Sequence, residues 1–469
     1  MSRDLRQEAI EIWSAGVAAV QSERLVAGQV LREGDRLTVC GHSFDLRTLG
    51  RIVVVGAGKA GAGMAAGLEQ ALGPDLVASQ LSGWVNVPAD CVRPLQKIHL
   101  HAARPAGRNE PTDAGVTGTQ EILRRVSTAG PNDLCLCLLS GGGSALLPAP
   151  KSPLTLADKQ AVTRFLMSAG VTISELNLVR TALSEVKGGG LARACRAGTL
   201  ITLIISDVIG DPLSVIASGP TLEMQPDPAA ALALLQKLGA RPPAVPQAVF
   251  SLLQSSIAAG SPTADSSGDR GQPALPTVFN QIIGNNDVAR QAAAEAARQR
   301  GYQVQSLGSA NQGDATATGR ELARLGEQIR AARQESADSE RTPVCVLSGG
   351  EPTVKLAVTE EPRSGGRNQQ LVLAALDELW DRGVEGLALL SGGTDGEDGP
   401  TDAAGAVLDQ TVWQTAHKLQ MPPAHDLAIN NAYGYWDRCG GLLRTGPTHT
   451  NVMDLRVLLI APPADHELP

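Results

Sequence analysis

Aromatic residues are scarce in this sequence, where Phe, Trp and Tyr together make up 3% of 469 residues. So few rings cannot form a platform on which nucleobases stack, and the net charge of −8 also argues against nucleic acid as a partner. Cysteine is scarce too: seven residues lie between Cys40 and Cys439, an odd number that fits reduced thiols and not a disulfide framework. No apolar run approaches the length of a membrane-spanning helix, so no membrane partner is expected.

The beginning of the chain also lacks the apolar segment of a signal peptide, so we expect a cytoplasmic protein. Residues 4–31 are predicted to form one amphipathic helix. A chain of this length exceeds what one hydrophobic core usually organises, which favours two domains. A stretch rich in Pro, Gly and Ser between about residues 240 and 275 reads as a linker, so the predicted domains are 1–250 and 276–469.

What the sequence has in abundance is glycine, and one glycine-rich stretch organises the rest. The six apolar residues Leu134–Leu139 predict a strand buried on both faces, which runs directly into Ser140, Gly141, Gly142, Gly143 and Ser144. Three consecutive glycines let backbone N–H groups approach an anion closely, and the two serine hydroxyls add further donors. We interpret this stretch as a phosphate-binding loop; the alternative is a tight turn with no ligand.

Recurrence favours the binding interpretation. The motif Leu-Ser-Gly-Gly occurs three times, at Leu139–Gly142, Leu347–Gly350 and Leu390–Gly393, each time after an apolar strand. Ligands of open α/β sheets lie beyond the carboxyl ends of the strands. Three such strand ends predict a large anionic ligand, held by local cations, by backbone dipoles or through a divalent cation.

A further strand, residues 51–55, leads into the sequence GAGKAG and an Ala-rich helix. This satisfies the literal dinucleotide-binding pattern, but no acidic residue ends the next strand, expected at LVASQ or WVNV, to hold a ribose. Lys59 within the loop is instead placed to meet a phosphate or carboxylate.

Charged residues follow the other strand ends. Asp207 and Asp211 follow the strand LITLII and suit either a divalent cation or a general base, although Asp207 can equally cap a turn. Glu351 follows the second Leu-Ser-Gly-Gly motif, and Asp395 the third. Asn285 is predicted to cap a helix. Arg367, behind paired glycines at a helix start, is placed for bidentate contact with an anion. Arg180 and Lys187 can either point to a cleft or lie on a solvated helix face, and spacing alone favours the solvated face.

Several of these motifs together resemble the glycerate 2-kinases that share a C-terminal MOFRL domain. The matching stretches, from about residue 5 to 460, are GAGKAG, SGGGSALLPAP, LNLVRTALSEVKGGGLA, SDVIGDP with IASGPT, SGGEPTV, GGRNQQ, GTDGEDGPTDAAGA and TGPTHTNV. The resemblance implies a Rossmann-like α/β domain and an α/β MOFRL domain with the active site in the cleft between them. It further implies phosphorylation of D-glycerate at its 2-hydroxyl by ATP with Mg²⁺, with Lys59 and Arg367 at the site. Two positions depart from the family pattern, which usually has glycine at His449 and often glutamate at Gln370.

The working hypothesis assigns a role to each of these residues. ATP phosphates lie over Ser140–Ser144, with Glu351 and Asn285 also binding the nucleotide, and Mg²⁺ lies near Asp207 or Asp395. Lys59 and Arg367 hold the glycerate carboxylate or the transferring phosphoryl group, and Asp207, or second Asp395, accepts the hydroxyl proton. A hydroxypyruvate reductase that uses NAD(P)H is the main alternative, a sensor without activity is a third, and a homodimer is one expected assembly.

Overall fold

A computed structural model describes residues 3–107, 110–260, 275–335 and 342–462. It divides into two compact units, one formed by Ser22–Ile283 and the other by Met1–Gln21 together with Gly284–Pro469. The first helix therefore packs with the C-terminal part of the chain, although the sequence assigned it to a domain of residues 1–250. The functional domain bounds 1–250 and 276–469 stay a prediction.

Helices and strands alternate along most of the chain. Up to residue 258 they are α1 (Leu5–Ala19), α2 (Ser22–Ala27), β1 (Val30–Glu33), β2 (Arg36–Val39), β3 (His42–Asp45), β4 (Ile52–Ala57), α3 (Gly61–Leu72), α4 (Pro74–Gln80), β5 (Leu81–Pro88), β6 (Ile98–Arg104), α5 (Asp113–Ser127), β7 (Leu134–Leu139), α6 (Gly143–Leu146), α7 (Leu156–Ser168), α8 (Ile173–Ala182), α9 (Gly190–Ala194), β8 (Thr199–Ile205), α10 (Pro228–Lys237) and α11 (Gln247–Ala258). After it they are β9 (Thr277–Gly284), α12 (Asn286–Gln299), β10 (Gln303–Ser306), α13 (Ala315–Glu335), β11 (Val344–Gly350), α14 (Arg367–Leu379), β12 (Leu387–Gly393), β13 (Gly405–Leu408), α15 (Gln410–Lys418), α16 (Ala424–Ala428), α17 (Ala432–Cys439), β14 (Leu442–Leu443) and β15 (Asp454–Ile460).

The unit Ser22–Ile283 is built on a six-stranded sheet of order β6-β5-β4-β7-β8-β9. The pairs β6/β5, β5/β4, β4/β7 and β7/β8 are parallel, so their carboxyl ends lie at one edge of the sheet. Every residue of β4 and β7 is buried, as their continuous apolar runs predict for strands covered on both faces. The order places β4 and β7, and therefore the two glycine-rich loops that follow them, side by side.

The other unit has a mixed six-stranded sheet of order β10-β11-β15-β12-β13-β14. The closing strand β15 lies between β11 and β12 and runs antiparallel to both, so β11 and β12 leave the sheet at the same edge. Its core includes residues of α1, because Ile12, Trp13 and Val17 pack with β11, β12 and β15. Burying each such side chain stabilises the unit by roughly 1.5–3 kcal/mol, which explains why α1 belongs to it.

The sequence expectation about the first helix was wrong. The helix predicted for residues 4–31 ends at Ala19, and α2 and β1 follow as separate elements of the other unit. The single helix fails because the apolar stripe of α1 packs on the C-terminal sheet, whereas Val26 of α2 is buried in the unit Ser22–Ile283. Of the two stretches proposed for the strand after α3, WVNV lies in β5, whereas LVASQ lies in helix α4.

The fold is thus the two-unit α/β architecture that the sequence predicts, with a Rossmann-like parallel sheet in one unit and a mixed sheet in the other. In the residues that the structure describes, no helix is both long and apolar enough to cross a membrane.

Candidate active site

The loops that follow β4 and β7 are joined by hydrogen bonds. Lys59 N donates to Gly141 O over 2.9 Å, and Ala60 N donates to Ser140 Oγ over 3.0 Å. Glycine is required at position 58, where φ is +152° and a Cβ would lie 2.0 Å from Ser140 Oγ. GAGKAG and SGGGS therefore form one double loop at the carboxyl edge of the parallel sheet.

A cavity of about 740 Å³ lies beside this double loop, within the size range of small-molecule sites. Its lining joins four kinds of group: the whole phosphate-loop candidate Ser140–Ser144, the carboxylates Glu110 and Asp207, the cations Lys159, Arg164, Arg180 and Lys187, and apolar side chains that include Met167, Ile173 and Leu176. Lys59 is not among the lining residues.

Backbone donors of the loop are available on this side. Among the described residues, the N–H groups of Gly141 and Gly142 have no acceptor. Gly142 has φ +78°, the left-handed region that favours glycine. Unpaired amides that line a cavity suit an anion, because such amides carry partial positive charge and need an acceptor.

Lys187 is 2% exposed, so the solvated helix face that the sequence favoured for it was wrong. Its Nζ donates to Ser144 O over 3.1 Å and to Ser144 Oγ over 3.2 Å, with Ala217 O at 3.5 Å. Burial, with the nearby charges of Arg180 and Lys159, holds the pKa of Lys187 well below its usual range. Lys187 thus positions the loop Ser140–Ser144 from behind.

Arg180 also lines the cavity and is partly buried, and burial lowers its pKa, so the solvated interpretation was wrong here as well. The error arises because helix spacing shows which residues share a face but not what covers that face. In α8, Arg180 follows Asn177 by three residues, and both side chains line the cavity.

Lys159, like Arg164, is a cation of the lining that sequence reasoning missed. Its Nζ is buried and has no hydrogen-bond partner in the described part of the chain. Burial, together with the charges of Arg180 and Lys151, lowers the pKa of Lys159 to about 7. A signal was present, because Lys159 lies three residues after Leu156 and three before the buried Val162, on the face of α7 that turns inward.

Asp207 lies two residues after the end of β8 and lines the same cavity as Ser140–Ser144. The structure therefore brings together two of the predicted groups, the loop and the carboxylate, with Lys59 held by its backbone to the loop. Glu351, Arg367, Asn285 and Asp395 belong to the other unit.

In that unit, the motifs Ser-Gly-Gly of β11 and β12 flank β15 in register. Ser348 and Ser391 both pair with Arg456, and Gly350 and Gly393 both pair with Asp454. The prediction that these motifs are loops was wrong, because their glycines continue the strands. Close packing explains the glycines: a Cβ on Gly349 would lie 1.6 Å from Asn286 Oδ1.

Arg367, the first residue of α14, is held by carboxylates. Its Nε and Nη2 donate to Asp454 over 2.7 and 2.9 Å, and its Nη1 lies 2.9 Å from Glu351 Oε1. Burial acts to lower the pKa of Arg367, but the hydrogen bonds and charge of Asp454 outweigh it and raise the pKa above its ordinary value. Arg456, 1% exposed, lies 3.7 Å from the same Asp454 carboxylate. We call Arg367, Asp454, Glu351 and Arg456 the paired-charge cluster.

Asp398, one of the acids after β12, is 2% exposed. Its carboxylate accepts hydrogen bonds from Asn368 N over 3.0 Å and from Gln369 N over 2.8 Å, at the first turn of α14. Burial raises the pKa of Asp398 to about 7, against the opposing effect of those two donors. Asp398 thus fixes the helix start that carries Arg367.

The remaining predicted residues are found at turns. Asn285 caps α12 by accepting from Val288 N over 3.1 Å. Asp395 accepts from Glu397 N at its side chain and from Thr448 N at its backbone oxygen, both over 3.1 Å, which ties it to the loop with His449. His449 has φ +59°, in the left-handed region, which accounts for glycine at this position in the family pattern.

Comparisons with known proteins agree with these motifs. Residues 8–254 match a family described as a domain of unknown function, DUF4147, and residues 344–454 match the MOFRL family. A glycerate kinase of Danio rerio is 36% identical over 99% of this chain and 99% of its own length. A putative hydroxypyruvate reductase of Agrobacterium vitis is also 36% identical, over 98% of this chain and 100% of its own. The crystal structure of a glycerate kinase from Thermotoga maritima superposes with a TM-score of 0.80 and 30% identity, covering 97% of this chain and 99% of that one.

The fold and the loops at its strand ends define an α/β protein with a cavity lined by backbone donors and cations. The chain belongs to the glycerate kinase family that carries a MOFRL domain, as the resemblance implied.

Proposed function

We propose that this protein is an ATP-dependent glycerate 2-kinase, which converts D-glycerate to 2-phospho-D-glycerate. The observation that carries the proposal is the cavity of the unit Ser22–Ile283, where backbone donors, buried cations and one candidate base line the same space. Phosphoryl transfer needs little more than positioning and charge neutralisation, which such a lining supplies. The relatives named glycerate kinase support the choice of acceptor.

In this proposal the ATP phosphates lie over Ser140–Ser144 and accept hydrogen bonds from the amides of Gly141 and Gly142. Lys187 holds the loop in place through Ser144. Asn285 and Glu351 remain proposed nucleotide contacts of the other unit.

Asp207 is the proposed general base. Its carboxylate takes the proton of the 2-hydroxyl while that oxygen attacks the γ-phosphorus, the bond from this phosphorus to the β,γ-bridging oxygen breaks, and ADP leaves with that electron pair. Asp395 is the second candidate. The presence of Asp207 in the lining of the cavity supports the first choice.

Mg²⁺ would neutralise phosphate charge when bound. No group of three or more His, Cys, Asp and Glu residues suited to a metal ion occurs in the chain as far as the structure describes it. The residues nevertheless fit Mg²⁺, which proteins usually hold through one or two carboxylates and the phosphates of the substrate. Asp207 is the carboxylate that we propose for it, and Asp395 the alternative.

Lys59 and Arg367 are proposed to bind the substrate anion or the transferring phosphoryl group. Replacing either by alanine is expected to lower turnover on the order of 10²-fold, the usual effect of removing a donor that stabilises developing charge. Steady-state rates of Lys59→Ala and Arg367→Ala test this, with Lys97→Ala as a control at a surface lysine; unchanged turnover in both variants would reject the roles.

A pair of assays tests the activity itself. Purified protein with D-glycerate, ATP and Mg²⁺ is expected to release ADP and form 2-phosphoglycerate, which ³¹P NMR distinguishes from the 3-phospho isomer. Faster oxidation of NADH by hydroxypyruvate would instead support the reductase that the Agrobacterium vitis relative is named for. If neither reaction occurs, a ligand-binding role without catalysis is the remaining alternative. A cytoplasmic location and a homodimer are further parts of the proposal, to be checked by fractionation and by light scattering.

A further inference from the structure

The amine of Lys159 is buried beside the cavity without a hydrogen-bond partner among the described residues. Side-chain amines with three N–H donors are seldom left in this state, because a buried charge without a partner carries a large desolvation penalty. Because Lys159 lines the cavity, a partner for its amine can enter from the cavity side.

Arg180 and Lys187 increase this imbalance. Both line the same cavity, and their charges repel the charge of Lys159. None of the ion pairs within the described ranges involves any of the three, although Glu185 attracts Lys159 from a greater distance. Glu110 and Asp207 are the acids of the lining.

The elements that contribute the cations separate them into two groups. Lys187 contacts Ser144 and so belongs with the loop Ser140–Ser144. Lys159 comes from α7 and Arg180 from α8, and neither has a hydrogen bond to that loop in the described structure. An ammonium and a planar guanidinium from two helices suit a small anion with two oxygen atoms that diverge.

We propose that Lys159 and Arg180 form the subsite for the carboxylate of the acid substrate. This inference rests on the proposed function and assigns the recognition of glycerate to the cavity of one unit. Because the carboxylate of glycerate is bonded to the carbon that bears the 2-hydroxyl, anchoring it here presents that hydroxyl to the same cavity that Asp207 lines. Lys59 and Arg367 are then left to the phosphoryl group.

Kinetics of Lys159→Gln test the subsite, since glutamine is one atom shorter than lysine, keeps a polar end and removes the charge. Losing a hydrogen bond to a charged group is expected to raise the KM for D-glycerate roughly 10- to 100-fold and to leave the KM for ATP within about threefold. Lys151→Gln is the matched control, because Lys151 lies near Lys159 but does not line the cavity. Assayed at pH 6, where Lys159 is mostly protonated with or without Lys151, this control should change neither KM.

The opposite pattern, a raised KM for ATP with an unchanged KM for glycerate, would overturn the inference and assign the cations to phosphate. Unchanged values for both substrates would overturn it too. If Lys159→Gln does not fold, as judged by its thermal transition, Arg180→Gln gives the same test and Arg180→Lys should restore part of the affinity.

Calorimetry separates this inference from the proposed function. The wild-type protein should bind D-glycerate, and glycerol, which lacks the carboxylate, should bind at least tenfold more weakly; Lys159→Gln should bind both equally weakly. Inorganic phosphate serves as the competing probe. If D-glycerate binds in a way that depends on Lys159 but no turnover occurs, the proposed kinase activity is rejected and the carboxylate subsite is supported. If turnover occurs and binding of D-glycerate is unchanged in Lys159→Gln, only the subsite is rejected. If D-glycerate does not bind at all, both the subsite and the proposed kinase activity are rejected.

Discussion

The cationic cavity and the paired-charge cluster place buried cations next to glycine-rich strand ends in opposite ways. In the cavity, Lys159, Arg180 and Lys187 have no carboxylate at ion-pair distance among the described residues. In the paired-charge cluster, Arg367 forms ion pairs with Asp454 and Glu351, and Arg456 lies 3.7 Å from Asp454. The same sequence motif, Leu-Ser-Gly-Gly, occurs at both sites.

We interpret this difference in pairing as marking the site that binds an anion. A cation that already has a bidentate carboxylate gains little from a second anion, whereas a buried cation without one gains the whole interaction. We therefore interpret the cavity as the main ligand site and the paired-charge cluster as the group that fixes the start of α14. Arg367 can bind an anion only if Glu351 moves away from it. Three variants or conditions test this comparison.

The largest effect is expected on removing the shared carboxylate of the cluster. Asp454→Asn leaves Arg367 and the buried Arg456 without their common partner, and breaking a buried pair in this way costs about 3–5 kcal/mol. Urea denaturation of the variant should show that loss in the free energy of unfolding. Glu351→Gln, whose side chain is 46% exposed, is the matched control and should cost less than about 1 kcal/mol. Equal losses in the two variants would mean that Asp454 is not the organising partner.

Removing a buried charge from the cavity should change the free energy of unfolding in the opposite direction and stabilise the protein. Since the pKa of Lys159 falls to about 7 on folding, the folded protein binds fewer protons than the unfolded chain between about pH 7 and pH 10, and stability rises with pH in that window. Lys159→Met should lose this rise and should be more stable than wild type at pH 7 by about 2–4 kcal/mol, less whatever the packing of methionine costs. Chemical denaturation at pH 7 and 9.5 measures both effects. A variant less stable than wild type at pH 7 would show that Lys159 is structurally compensated.

The smallest effect is the pH dependence of substrate affinity. Above about pH 7 the Lys159 amine of the free protein loses its proton, so the KM for D-glycerate should rise, by at most about tenfold per pH unit. Arg180 and Lys151 shift this transition to lower pH, and Glu185 shifts it to higher pH. Initial rates from pH 6 to 9 measure the profile, and Lys159→Gln should flatten it. A profile that is the same in both proteins would assign the titration to another group.

Local patterns were enough to predict much of this molecule. Apolar runs predicted β4, β7 and β8, and the glycine motifs after them predicted where ligand-binding groups collect, because strand ends of a parallel sheet share an edge. Sequence could not predict which cations lack a partner. Lys159 and Lys187 look like surface residues of polar segments, and only packing against α8 and the loop Ser140–Ser144 buries them. Likewise Arg367 looked free, because its partner Asp454 lies 87 positions away and is aligned by the central strand β15.

A crystal structure with D-glycerate and a non-hydrolysable ATP analogue tests the central claim most directly. The account predicts the triphosphate on the amides of Gly141 and Gly142, and the glycerate carboxylate within hydrogen-bonding distance of Lys159 Nζ. Density for both ligands away from this cavity, with Lys159 still unpartnered, would contradict it.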